Sequence, residues 1–257
     1  MKNLLFLLAL PAFFSACTGN GSPKTKLADP LPGNWLTKSY VDSTALLRSP
    51  MSLWEGCEEL VFAAGFDTML YVGVGSEAGL FSWQKMNDTT VRIFGFNDPH
   101  MDFFLSADGK TLSCVDSFSQ RRYVFTKLDS AFATGDSGHP KLKSANERWF
   151  NETLLAGTYV ENSGGSAGSK SITFYPDGRL EGWEGYEKYF ICASGICTSL
   201  AGDDFLTVQK GDELGVDFGW EMKDKTLEIY ALKDASAGEG IPQYVREKVV
   251  MRLTKVK

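Results

Sequence analysis

Residues 226–232, Thr-Leu-Glu-Ile-Tyr-Ala-Leu, and 249–254, Val-Val-Met-Arg-Leu-Thr, alternate in character with a period of two. Leu227, Ile229 and Ala231 fall on one side, Glu228, Tyr230 and Leu232 on the other; Val249, Met251 and Leu253 likewise oppose Val250, Arg252 and Thr254. A period of two places successive side chains on opposite faces of a strand, whereas a helix face repeats every 3.6 residues. Turn signals punctuate the chain at Asn87-Asp88, Asp108-Gly109, Pro176-Asp177-Gly178, Gly211-Asp212 and Lys223-Asp224. Many short strands joined by tight turns imply an all-β protein of antiparallel barrels, with β-sandwiches as the alternative. Helix is confined to two short stretches. Ser39 to Arg48 has Asp42 in its first turn, Arg48 in its last and Pro50 as its stop, and Asn146 to Leu155 offers a turn or two more.

Working outward, the chain repeats itself. Leu31-Pro-Gly33-Asn-Trp35 has a counterpart in Leu155-Ala-Gly157-Thr-Tyr159, Asp108-Gly-Lys110-Thr-Leu112 in Lys223-Asp-Lys225-Thr-Leu227, and Thr126-Lys127-Leu128 in Thr254-Lys255-Val256. Three matches in the same order predict a duplicated unit: one domain over 31–129, a small and polar linker over 130–146, and a second domain over 147–257. Each half is expected to fold alone. The 257 residues are 43% hydrophobic and 13% aromatic, enough for packed cores, and the formal net charge of −6 offers no basic surface for nucleic acid.

The first residues are an address. Lys2 precedes an apolar run from Leu4 to Phe14, too short for a spanning helix of about 20 residues, so 1–16 reads as a signal peptide. Phe14-Ser15-Ala16-Cys17 resembles the bacterial lipobox, in which small residues precede a cysteine that is diacylated and becomes the mature N-terminus. That resemblance implies a membrane anchor at Cys17, with residues 17–30 as a Pro/Gly-rich lipidated tether. Thr18, where Asp would signal inner-membrane retention, favours the outer membrane of the cell envelope. That compartment is poor in nucleotide cofactors, so none is expected. The four further cysteines, Cys57, Cys114, Cys192 and Cys197, allow three pairings. Cys192 and Cys197 flank a four-residue connection between strand-like segments and are the disulfide candidates, while the pairing of Cys57 and Cys114 stays open.

Gly33-Asn34-Trp35, opening a run of strands, resembles the Gly-x-Trp start of lipocalins, and Gly157-Thr158-Tyr159 looks like a second copy. Together with the lipobox, the short Ser-Tyr-Val-Asp helix ending at Ser49-Pro50 and the closing Thr-Lys-Leu strand, the chain resembles lipocalin-like lipoproteins of Gram-negative bacteria. The resemblance implies two tandem antiparallel lipocalin-like barrels holding a small, mostly apolar or amphiphilic ligand. Trp35 and Tyr159 are expected to plug the barrel ends. The rival expectation is an envelope interaction module whose barrels are filled by the chain's own 18 Phe, 9 Tyr and 6 Trp.

Catalytic and metal chemistry find little support. Gly164-Gly-Ser166-Ala-Gly168 fits a nucleophile elbow, but a strand follows it rather than a helix, and both histidines, His100 and His139, precede Ser166. The same stretch, with Lys170-Ser171, lacks the glycine a phosphate loop needs before lysine, and Gly73-Val-Gly75 with Gly79 is out of register for a dinucleotide fingerprint. No metal-ligand spacing occurs. Glu181-Gly-Trp183-Glu184-Gly-Tyr186-Glu187 sets carboxylates among aromatics on a Gly-rich, solvent-facing stretch. There Trp183 and Tyr186 are candidate ligand contacts rather than parts of a glycosidase.

Overall fold

The alternation is realised as strands throughout. The computed structural model describes residues 29–50, 57–73, 78–95, 99–117, 119–135, 140–161, 170–192, 204–236 and 243–256. In the first half these include β1 (Gly33–Thr37), β2 (Glu59–Phe62), β3 (Thr68–Val72), β4 (Ala78–Lys85), β5 (Thr90–Phe94), β6 (His100–Leu105), β7 (Thr111–Val115) and β8 (Arg122–Lys127). Each pairs antiparallel with the next, and β8 returns to β1 through Trp35↔Lys127, Leu36↔Thr126 and Thr37↔Phe125. One sheet therefore closes on itself as an eight-stranded barrel, not as the two facing sheets of a sandwich, and no strand keeps an unpaired edge.

The second half carries β9 (Gly157–Glu161), β10 (Ser171–Phe174), β11 (Leu180–Glu181), β12 (Lys188–Cys192), β13 (Phe205–Gln209), β14 (Val216–Lys223), β15 (Thr226–Asp234) and β16 (Tyr244–Lys255). They form one eight-stranded sheet in the order β11-β10-β9-β16-β15-β14-β13-β12. Its first strand pairs with the second and the last, as β1 does with β2 and β8. The edge strands touch only at an isolated antiparallel bridge, Arg179↔Lys188, flanked by Leu180 N–H to Glu187 O (2.8 Å) and Tyr189 N–H to Gly178 O (2.8 Å).

The repeat extends to single hydrogen bonds. Trp35 Nε1 donates to Leu31 O at 2.9 Å, and Tyr159 OH donates to Leu155 O at 2.8 Å, each tying an inward ring to the carbonyl four residues before it. Lys127 Nζ lies 5.3 Å from the Trp35 ring centroid and donates to Pro30 O; Lys255 Nζ lies 5.7 Å from that of Tyr159 and donates to Ala156 O. Burial lowers both ammonium pKa values. The conserved spacing of glycine before each ring within this chain has a steric cause. Gly33 and Gly157 adopt φ of +136° and +144°, and a Cβ on Gly33 would sit 2.8 Å from Lys127 Cε. Trp35 and Tyr159 are thus anchored in the same way.

Helix α1 (Lys38–Leu47) follows β1, begins one residue earlier than the sequence suggests, and stops where Arg48 turns left-handed at φ 54°. A second helix, α2 (Asn146–Phe150), runs into one π-helical turn over Asn151–Leu155. These helices join the halves. Tyr40 of α1, Leu36 of β1 and Cys57 belong to the same buried cluster as Trp149, Phe150, Leu154 and the second sheet's Tyr159 and Trp220. Across the junction Ser49 Oγ donates to Asp204 Oδ1 at 2.7 Å, and Arg48 to Thr153 O.

Of the connecting stretch 130–146, the described residues on either side of 136–139 are also packed. Leu142 is fully buried on the outer face of the barrel against Val61 and Leu70, and Gly135 bridges Ser144. Beside it lies Glu59, fully buried on the outward side of β2, whose carboxylate accepts from Asn34 Nδ2 (2.8 Å), Ser144 Oγ (2.6 Å) and Ala145 N–H (2.7 Å). Asn34 Nδ2 also donates to Lys143 O at 2.6 Å, so one carboxylate and one amide fasten the connection to β1 and β2. Burial outweighs these donors and holds the Glu59 pKa above its ordinary 4.5. A raised carboxyl pKa means the native state binds the proton more tightly than the unfolded chain. Its contribution is therefore fully present below pH 4.5 and lost as pH rises through the folded value. We expect Glu59→Gln, which turns an N–H group towards donors, to cost about 1–3 kcal/mol at neutral pH. The gap to wild type should widen as pH falls towards 4.5, read from urea unfolding at several pH values. A gap that narrows on acidification would refute the assignment.

Candidate ligand site in the closed barrel

The barrel lumen is asymmetric. Around the plugged end, Leu31, Trp35, Phe103 and Leu112 are almost completely buried. Towards the other end the inward rings are only partly buried: Tyr71 on β3, Phe81 on β4 and Tyr123 on β8. These rings therefore keep partial contact with solvent at this end.

Two glycines shape the opening. A Cβ on Gly73 would fall 2.6 Å from Tyr71 Oη, and one on Gly79 would fall 2.7 Å from Phe81 Cε2. Both rings therefore lie along bare backbone towards the β3–β4 connection, with centroids 6.3 Å apart and edge to face. The glycines that fall out of register for a dinucleotide fingerprint serve here as seats for aromatic rings; Gly75 lies outside the described residues. Deeper in, Trp83 meets Phe62 edge to face at 5.4 Å and pairs across strands with Ile93. On the facing wall Arg121 stacks over Tyr123 at 5.3 Å.

Negative charge at this end comes from Asp116 and from Glu58, whose backbone oxygen continues the β1–β2 ladder by accepting from Thr37 N–H at 3.0 Å. Burial first, and the Glu58 charge second, push the Cys114 thiol up to about 12 and raise the Tyr123 hydroxyl. Burial likewise raises the Cys57 thiol. Cys57 and Cys114 are free, buried and protonated at neutral pH, which is the environment of structural rather than nucleophilic cysteines. Aromatic rings thus line this end of the barrel, and the Cys114 thiol near them is held protonated.

The second sheet is filled. Tyr159 meets Phe174 at 5.6 Å, Phe174 meets Tyr189 at 5.1 Å and Trp183 at 6.4 Å, and Trp183 meets Phe218 at 5.3 Å. Trp183 is thus a core side chain, 7% exposed, and Tyr186 packs at its edge 5.9 Å away. The glutamates around them point to solvent: Glu181 accepts from Tyr175 OH at 2.9 Å, and Glu184 lies 3.8 Å from Lys170. Exposed carboxylates do not make the enclosed acid that glycoside hydrolysis uses.

Of the other residues singled out in the sequence, Cys17, Ser166, His139 and Cys197 lie outside the described residues. Cys192 ends β12 and is in disulfide form, whereas no disulfide joins two described cysteines. His100 opens β6 on the surface, and Lys170 leads into a strand, β10. Among the described residues no group of three or more His, Cys, Asp and Glu could hold a metal ion. The inward residues Tyr71, Phe81 and Tyr123 carry no motif. The signal that could have found the first two is an aromatic spaced two residues from a glycine on the same face, as in Tyr71/Gly73 and Gly79/Phe81; nothing in the sequence marks Tyr123. No family model matches the chain, and neither a curated protein nor a solved structure is found to be similar to it.

Proposed function

We propose that this protein is an exported, lipid-anchored cell-envelope protein that holds a small apolar or amphiphilic molecule, without catalysis, in the lumen of its first barrel. The observation that supports this most directly is the asymmetry of that barrel: one end plugged by Trp35 and Leu31, the other lined by half-buried Tyr71, Phe81 and Tyr123. Small-molecule sites are concave and mostly apolar with few polar groups, and this arrangement fits that description. Anchoring through acylated Cys17 in the outer membrane would place the mouth beside a source of amphiphiles.

The second half is read as a second barrel, closed only by the Arg179–Lys188 bridge and serving as a structural partner. Its filled interior also favours a second reading, an interaction module that presents surfaces rather than a pocket. Native mass spectrometry of the protein purified from its own envelope discriminates between them. The expected result is a mass excess beyond the acyl chains that disappears on denaturation. Protein carrying acyl chains alone, and taking up no apolar probe, would leave the interaction module as the better account.

A further inference from the structure

We propose that the outer wall of β4–β7 in the first barrel lies against the membrane surface at headgroup depth, so that the protein rests on the bilayer to which Cys17 ties it. The inference rests on the reading of Cys17 as an acylated anchor and adds which face of the barrel meets the lipid.

Successive side chains of a barrel strand point alternately inward and outward. Leu80 on β4, Phe94 on β5, Phe104 on β6 and Val115 on β7 hold outward positions, and Met86 follows β4 with the same parity. All five are between 39% and 55% exposed. Met86 N–H donates to Thr90 O at 2.9 Å, and Thr90 stands opposite Phe104, so Met86 and Phe104 share one cross-strand row. Between that row and Phe94, Arg92 and Asp102 form a two-pronged ion pair at 2.7 and 2.9 Å, which neutralises the charge at the centre of the wall. The neighbouring wall is treated differently: outward Val61 on β2 and Leu70 on β3 are buried against Leu142 of the connecting stretch. The chain thus covers one apolar part of its barrel and leaves the next exposed.

Size and position decide what fits there. Four strands about 4.8 Å apart, each contributing five residues of about 3.3 Å, make a face of about 300 Å². A stable protein interface takes about 800 Å² from each partner, so a second protein chain is a poor match. A chain already held at a bilayer needs far less area, because the tether supplies the effective concentration. The route to Cys17 also leaves from this wall: Asp29, the first described residue, lies 3.7 Å from the ammonium of Lys85, the residue before Met86. Fully extended, the stretch from Cys17 to Asp29 reaches at most about 40 Å, which keeps the barrel near the surface without orienting it. The wall supplies the orientation. Its strands are paired on both sides, so it can enter the interface without bringing unpaired backbone into lipid.

The test uses the full-length lipidated protein reconstituted into vesicles of phosphatidylethanolamine and phosphatidylglycerol that carry a phosphatidylcholine with a diazirine on its acyl chain. After illumination, mass spectrometry locates the labelled residues. Labels are expected at Met86, Phe94 and Phe104 in preference to Leu46 and Leu214, which are more exposed, at 81% and 96%, but lie on α1 and in the second half. The double variant Phe94→Ser, Phe104→Ser should lose about tenfold in wall labelling while still floating with the vesicles through its acyl chains. The wild-type pattern stands as a readout even if the variant folds poorly. Labelling that follows exposure, greatest at Leu214 and Leu46, overturns the wall contact and leaves the anchor standing. An unlabelled wall in a protein that chemical cross-linking shows as a dimer also overturns it, and assigns the wall to a second copy. Wild type that fails to float with the vesicles overturns the lipoprotein reading, and the wall contact with it.

Discussion

Tyr40→Ala is expected to lower the unfolding free energy by about 3–5 kcal/mol, the range for removing a large buried aromatic side chain. Tyr40 sits on α1 of the first half, is fully buried, and meets Phe150 edge to face at 5.6 Å inside the cluster that also contains Tyr159 and Trp220. Its hydroxyl donates to Pro50 O, so truncation opens a cavity and strips an acceptor at once. Tyr40→Phe keeps the ring and should cost only about 0.5–1.5 kcal/mol, the net worth of one hydrogen bond. Because the ring belongs to one half and its neighbours to the other, denaturation followed by tryptophan fluorescence should show one shared transition in wild type and a split or broadened one in Tyr40→Ala. A loss below about 1 kcal/mol, with separate transitions for the two halves already in the wild type, would mean that the halves are independent bodies. The same contacts bear on separate expression: residues 148–257 alone lack Leu36 and Tyr40, so their core should be incomplete, and the fragment less stable than its own strands suggest.

Cys17→Ser is expected to abolish membrane retention altogether and to leave the 16-residue leader uncleaved, because the proposed acylation and the subsequent cleavage both require that thiol. Two acyl chains contribute about 0.8 kcal/mol per buried methylene, so their removal shifts partitioning by many orders of magnitude rather than by a graded amount. Fractionation of cells and gel migration of the precursor read both consequences. A variant that sediments with membranes and migrates like wild type would sink the lipoprotein reading, while leaving the barrel and its lumen untouched.

Strand periodicity was legible because it depends on neighbours two residues apart. Leu227, Ile229 and Leu253, assigned to one face from alternation alone, are all fully buried on that face. The paired Gly-x-Trp and Gly-x-Tyr segments were equally legible, since each ring is tied to a carbonyl only four residues away. Trp183 illustrates the limit of that legibility. Its Gly-rich, acidic surroundings read as a solvent-facing surface, and the glutamates are indeed exposed, but the indole turns inward against Phe218, a residue supplied by β14.

What the sequence by itself determined, then, is local: the strands, the turns between them, the anchored rings of Trp35 and Tyr159 and the two short helices. What only the tertiary structure decided is where those pieces close and what they enclose. Glu59 lies on the outward face of β2, yet its carboxylate is fully buried because Ser144 and Ala145 cover it from more than 80 positions away. Closure of the first sheet rests on Trp35 meeting Lys127, and fastening of the connection rests on Asn34 reaching Lys143 across 109 positions. Whether such distant groups meet depends on chain-closure entropy set against the burial gained when every layer packs at once, a balance that no window of neighbouring residues contains.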